Sequence, residues 1–259
     1  MAMHLQHCKT GHIFKYLQLI LFLILAGLPL QGQTLDDLLN LGLETVYELN
    51  NTVLDMTALT DAEENEIGAG VRTEIMTDKT TYSTTKFDIQ AIFKKITAKA
   101  GRPDIAWECT PVTDPEFNAF AIAGGKIFLN QGLLEGLETP DELAFVIAHE
   151  VAHIELKHCV RKIQASVRAS QIDPVLGEIV AVGYQLYSYP FSQTQENEAD
   201  ERGVTLMKAA GFDKHGAVSF FNKLELREAH YANATFEEVN DFLSTHPTAQ
   251  RRRARVEQF

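Results

Sequence analysis

Apolar positions at Leu35, Leu38, Leu39, Leu43, Val46, Leu49 and Val53 recur every three or four residues, so residues 34–58 are predicted as one amphipathic helix. The acidic stretch 61–66 opens the next helix, and the polar stretch 80–85 is turn-prone. Residues 87–100 are again helical, closed by Gly101 and then Pro103. The pattern then changes to short apolar runs. Residues 105–112, 117–123 and 126–129 are predicted as strands, the last two joined into a hairpin by Gly124-Gly125. Thr139-Pro140-Asp141-Glu142 marks a helix start, with an N-cap threonine, a proline at the first helical position and a capping-box glutamate. Leu143, Val146, Ile147, Val151 and Ile154 continue it with a helical period. Residues 160–192 are helical and then aromatic and turn-like, a candidate lid. Helices over 193–210 and 214–230, and one after Pro247, complete an α+β fold, mostly helical, with a small antiparallel or mixed sheet.

With 259 residues the chain has room for one substantial core. Its hydrophobic share of 45% and charged share of 22% are those of an ordinary globular protein. The net charge of −12 disfavours nucleic acid as a partner, because phosphate contact needs positive charge. The run Arg251-Arg252-Arg253-Ala254-Arg255 is read as a solvated helix face or a complement to the helix dipole.

The chemistry is concentrated in His149-Glu150-Val151-Ala152-His153, inside the capped helix. Histidines four apart project from one helical face and suit two corners of a tetrahedral zinc site. Glu150 is placed to take a proton from an attacking water. A catalytic zinc takes a third protein ligand, and Glu196 with Asp200 lies one helical turn apart in Gln195-Glu196-Asn197-Glu198-Ala199-Asp200. Glu196 can ligate the metal while Asp200 accepts a hydrogen bond from a ligand histidine.

With HExxH followed by a downstream Glu196-Asn197-Glu198-Ala199-Asp200, the chain resembles the zinc endopeptidases related to the CAAX prenyl proteases, gluzincins with HtpX-like, Oma-like and BepA-like members. Glu66-Ile67-Gly68, Asn118-Ala119-Phe120-Ala121 with Gly124-Gly125, Gly132-Leu133-Leu134 and Thr245-His246-Pro247 also match, whereas Ala123 stands where many relatives carry proline. The resemblance implies one Zn2+ per chain held by His149, His153 and Glu196, with Glu150 as general base and Asp200 as the partner of His149. It implies that His246 can approach the metal and hold a resting state, or stabilise an oxyanion when swung away. It implies a sheet flanking the HExxH helix, and a polypeptide substrate added along the hairpin edge at Asn118, Ala119, Phe120 and Ala121. An assembly factor with protease activity restrained by His246 is the alternative. His158, His215 and His230 are taken as ordinary histidines.

Residues 1–32 read as a secretory signal peptide: Lys9 and Lys15 precede an apolar run over 16–30, and no acidic residue comes before Asp36. Cleavage after Gly32 is expected, although the large Leu30 leaves an uncleaved anchor as the alternative. The division expected is 1–32 leader, 33–80 helical segment packed on the catalytic part, and 81–259 metallopeptidase domain. The leader implies export, to the periplasm of a Gram-negative cell, with peripheral membrane association through the N-terminal segment. Cys109 and Cys159 remain in the mature chain as a disulfide or as two buried thiols.

Overall fold

The structure, a computed structural model, describes residues 59–170, 176–231, 246 and 249–259. The leader and the helix expected over 34–58 lie outside the described residues, and all that follows belongs to one compact unit, Met56–Phe259. Its elements are α1 (Asp61–Asp78), α2 (Ile89–Thr97), β1 (Glu108–Val112), β2 (Ala119–Ile122), β3 (Lys126–Asn130), α3 (Gln131–Gly136), α4 (Pro140–Glu155), α5 (His158–Ser170), α6 (Leu176–Leu186), α7 (Gln193–Ala209), α8 (His215–Tyr231) and α9 (Ala249–Val256). The mostly helical α+β class holds.

The sheet is mixed, in the order β1-β3-β2, with β1 parallel and β2 antiparallel to β3. It forms the middle layer of three. Ala119, Ala121, Ile127 and Leu129 face the main core around α4, while Phe120, Ile122 and Phe128 face a second core with Ile67 and Val71 of α1. Burial on both faces is why these strands read as continuous apolar runs rather than alternating ones. Gly124 and Gly125 turn the hairpin at φ 71° and 79°, angles that side chains with a Cβ rarely adopt.

Helix α4 runs through the middle of the main core. Its Thr139 hydroxyl accepts from the Glu142 N–H and the Glu142 carboxylate accepts from the Thr139 N–H, so the predicted capping box is formed. Every residue from Glu142 to Ile154 is buried. A helix buried all round needs partners on every side, and α4 has them in α7, α8, α2 and β2. Its two histidines and its glutamate are therefore held inside a packed core.

Cys109 and Cys159 are separate, buried free thiols. The segment before the sheet is extended where a turn was expected, and Thr81 makes an antiparallel bridge to Val112 on the β1 edge. Among the described residues, no helix is long and apolar enough to cross a membrane.

Candidate metal centre

Helix α7 starts with a second capping box, in which the Ser192 hydroxyl accepts from the Gln195 N–H and the Gln195 side chain accepts from the Ser192 N–H. That start sets the rotation of α7, so Glu196 and Asp200 share the face turned to α4. Both are fully buried. Gly203, one further turn along, lets the two helices meet closely: a Cβ there would lie 3.1 Å from the His149 backbone nitrogen.

Four donors converge. His149 Nε2 lies 3.0 Å from His153 Nε2 and 3.3 Å from His246 Nδ1. Glu196 Oε1 is 3.4 Å from His153 Nε2 and 2.8 Å from His246 Nδ1, and Glu196 Oε2 is 3.6 Å from His149 Nε2. Zinc bonds of about 2.0–2.1 Å put tetrahedral corners about 3.3 Å apart. The donors are N, N, N and O at that spacing, so the residues fit a zinc ion. His149, His153, Glu196 and His246 are all buried, and they form a group of metal-competent side chains.

Charge keeps the carboxylates ionised, whereas burial keeps His153 and His246 neutral. His149 Nδ1 lies 3.1 Å from Asp200 Oδ1, the placement expected of Asp200. Burial alone pushes the Glu196 carboxyl up, but Arg252 and His246 outweigh it and hold the group well below the usual carboxylate range. Asp200 is likewise lowered, with Arg252 again overcoming burial. Burial pushes His153 well below its ordinary value and His246 down to about 4.

Glu150 is different. Burial and the charge of Glu196 push it well above the carboxylate range, opposed in part by Arg252, the Ala121 backbone N–H and Lys162. Neither carboxylate oxygen has a hydrogen-bond partner of normal geometry among the described residues. The His246 ring approaches it, with Nε2 3.5 Å from Glu150 Oε1. Glu150 is thus a fully buried carboxyl group of raised proton affinity beside four potential metal donors.

A model of peptidase family M48 matches residues 83–259. The chain belongs to peptidase family M48. M48 peptidases are zinc-dependent, in keeping with the donor set. The chain is 32% identical over 186 residues to the mitochondrial metalloendopeptidase OMA1 of Schizosaccharomyces pombe, covering 69% of this chain and 54% of that protein. It is 29% identical over 161 residues to the beta-barrel assembly-enhancing protease of Escherichia coli K12, covering 55% of this chain and 32% of that protein. The chain thus spans about half of the first relative's length and a third of the second's.

Several residues of the M48 site were not legible as such in the sequence. Arg252 was expected on a solvated face, yet it is fully buried. It holds both oxygens of Asp200 at 2.7 Å and Glu196 Oε2 at 2.7 Å, and donates to the His246 carbonyl. Burial opposes a charge there, but the Asp200 and Glu196 carboxylates raise its pKa further. The signal available was Val256, four residues on and fully buried, which puts Arg252 on the inward face of α9. His158 is not an isolated histidine either, since its Nδ1 is 3.0 Å from that of His153. His215, by contrast, pairs with Asp213 at the surface. Phe191 stacks on the His153 ring with centroids 3.9 Å apart.

The hairpin edge also departs from expectation. The Asn130 N–H donates to the Asn118 carbonyl, so the main-chain groups of 118, 120 and 122 turn towards β3. Only Ala119 and Ala121 present theirs on the open side of β2. That side is covered, since the Cys159 thiol donates to the Ala121 carbonyl at 3.6 Å and Asn118 to Ala121 are all buried. Ala121, Cys159, Lys162 and Phe191 line one small cavity, the Lys162 ammonium lying 3.8 Å from the Phe191 ring centre and donating to the Tyr189 carbonyl.

Proposed function

We propose that this chain is a zinc-dependent metalloendopeptidase in which Glu150 is the general base. The observation that carries the reading is the unpaired Glu150 carboxylate set beside His149, His153, Glu196 and His246. Zinc, when bound, polarises the substrate carbonyl and lowers the pKa of water. His149, His153 and Glu196 would hold the ion, with Asp200 keeping His149 oriented. The raised proton affinity of Glu150 suits it to take a proton from the attacking water and pass it to the leaving amine. The Ala119 and Ala121 main-chain groups supply the edge for an extended polypeptide, once the cover at Cys159 and Phe191 moves aside.

His246 makes this a restrained site. With its Nδ1 among the donors, it would compete with water for a place on a bound ion. The proposed clients are misfolded or envelope proteins of an exported compartment, the periplasm, a location supported by the leader pattern of residues 1–32. The OMA1 relative is, by its name, mitochondrial.

Glu150→Gln should bind zinc at wild-type stoichiometry and cleave casein about 10²–10⁴-fold more slowly; wild-type turnover would end the reading. His246→Ala should cleave faster than wild type. No cleavage by either protein, with unfolded client still bound, would favour an assembly factor.

A further inference from the structure

The two histidines of the HExxH helix are supported unequally. Behind His149 stands a carboxylate, Asp200. Behind His153 stands another imidazole. The chain leaves α4 through Lys157 at φ 64°, a left-handed conformation uncommon for a residue with a side chain. Helix α5 therefore begins at once, and the His158 ring folds back on the helix just completed. Its Nδ1 reaches His153 Nδ1 at 3.0 Å, and its Nε2 lies 3.1 Å from Glu198 Oε2 on α7. Glu198 sits between Glu196 and Asp200 in sequence but on another side of the helix, with its side chain 49% exposed.

Only one assignment of protons satisfies this row. His153 Nε2 points into the donor cluster, 3.0 Å from His149 Nε2, so it must present a lone pair to a metal. Its Nδ1 then carries the proton and needs an acceptor. The His158 Nδ1 can accept only if His158 bears its own proton on Nε2, and that proton goes to the Glu198 carboxylate. Each tautomer is set by the next group outward, and the row ends at a carboxylate in contact with water. Phe191, tilted only 21° from the His153 plane, restrains the ring from its face.

We propose that His158 and Glu198 form a positioning relay that fixes the tautomer of His153 for metal binding, with Glu198 as its solvent-reachable end. The proposal rests on the reading of His153 as a zinc ligand. It gives a role to Glu198, the carboxylate of the Glu196–Asp200 motif that the mechanism leaves unused, and makes His158 more than a core histidine.

The test uses the full chain and measures zinc affinity by competition with a chromophoric chelator. Long-range proton–nitrogen spectra of the zinc-loaded protein report the His153 tautomer. His158→Leu, which removes the acceptor, should weaken zinc binding about 10–100-fold. His158→Gln, whose amide oxygen can accept from His153 Nδ1–H, should recover most of that loss. Glu198→Leu, a change at a half-exposed position where folding is not at stake, should weaken binding severalfold and broaden or shift the His158 Nε2 signal. Wild-type affinity in His158→Leu or Glu198→Leu, or a proton on Nε2 of His153 in the zinc-loaded protein, would overturn the relay. His153→Ala is the control for the underlying reading. If it binds zinc as tightly as wild type, His153 is not a ligand and that reading fails first.

Discussion

At the scale of single residues, the centre is governed by where charge is allowed to sit. Arg252 supplies one buried cation to two buried carboxylates, and its paired bonds to both Asp200 oxygens offset part of the cost of taking these charges out of water. His153 and His246 are kept neutral by burial, which gives the metal-free protein a defined acid sensitivity. Unfolded, His246 takes up a proton near pH 6.5; folded, it resists until about pH 4. Its folded pKa is depressed, so the stability it contributes is complete above 6.5 and is lost as pH falls towards 4, a change of about 3 kcal/mol. Glu150, with a raised folded pKa, contributes with the opposite sign, losing stability as pH rises. Comparing wild type with His246→Asn cancels that contribution. In the presence of a chelator, denaturation midpoints should fall more steeply between pH 6.5 and 4 for wild type than for His246→Asn. Parallel curves would show that His246 is not held neutral.

Between elements, what matters is how α4 and α7 meet. Two capping boxes set where these helices begin, hence which residues face each other, and both were legible from Thr139 to Glu142 and from Ser192 to Gln195. Glu196 and Asp200 were readable as one face for the same reason. Their distance from His149 was not, because it depends on the close approach at Gly203. Gly203→Val should drive the helices apart, reduce zinc affinity at least tenfold and lower stability by about 1–3 kcal/mol, as overpacking does. Isothermal titration with zinc checks the first and denaturant unfolding the second. Unchanged affinity would mean that the centre tolerates helix separation. The β2 edge teaches a similar lesson: the hairpin was readable from Gly124-Gly125, but the Cys159 thiol reaches Ala121 from 38 positions later in the chain.

Across the whole molecule, the centre ties together segments far apart in sequence: α4, α7, the residue His246 and α9. Zinc that binds only this folded arrangement stabilises it by mass action, by about 4 kcal/mol when free zinc is a thousandfold above its Kd. Removing zinc with a chelator should therefore lower the melting temperature by several degrees and re-addition should restore it, as calorimetry can record. No change would place the donors outside any stabilising metal site. The sequence alone determined most of the helices and strands, the two capped helix starts and the family, and it offered His149, His153 and Glu196 as donors, because periodicity, capping and motif spacing are local properties written in short stretches. Tertiary structure alone decided that Arg252 turns inward, that His158 and Glu198 stand behind His153, and that the strand edge is covered. Those facts depend on which faces of distant helices meet when the core closes. No window of sequence contains both sides of such a contact.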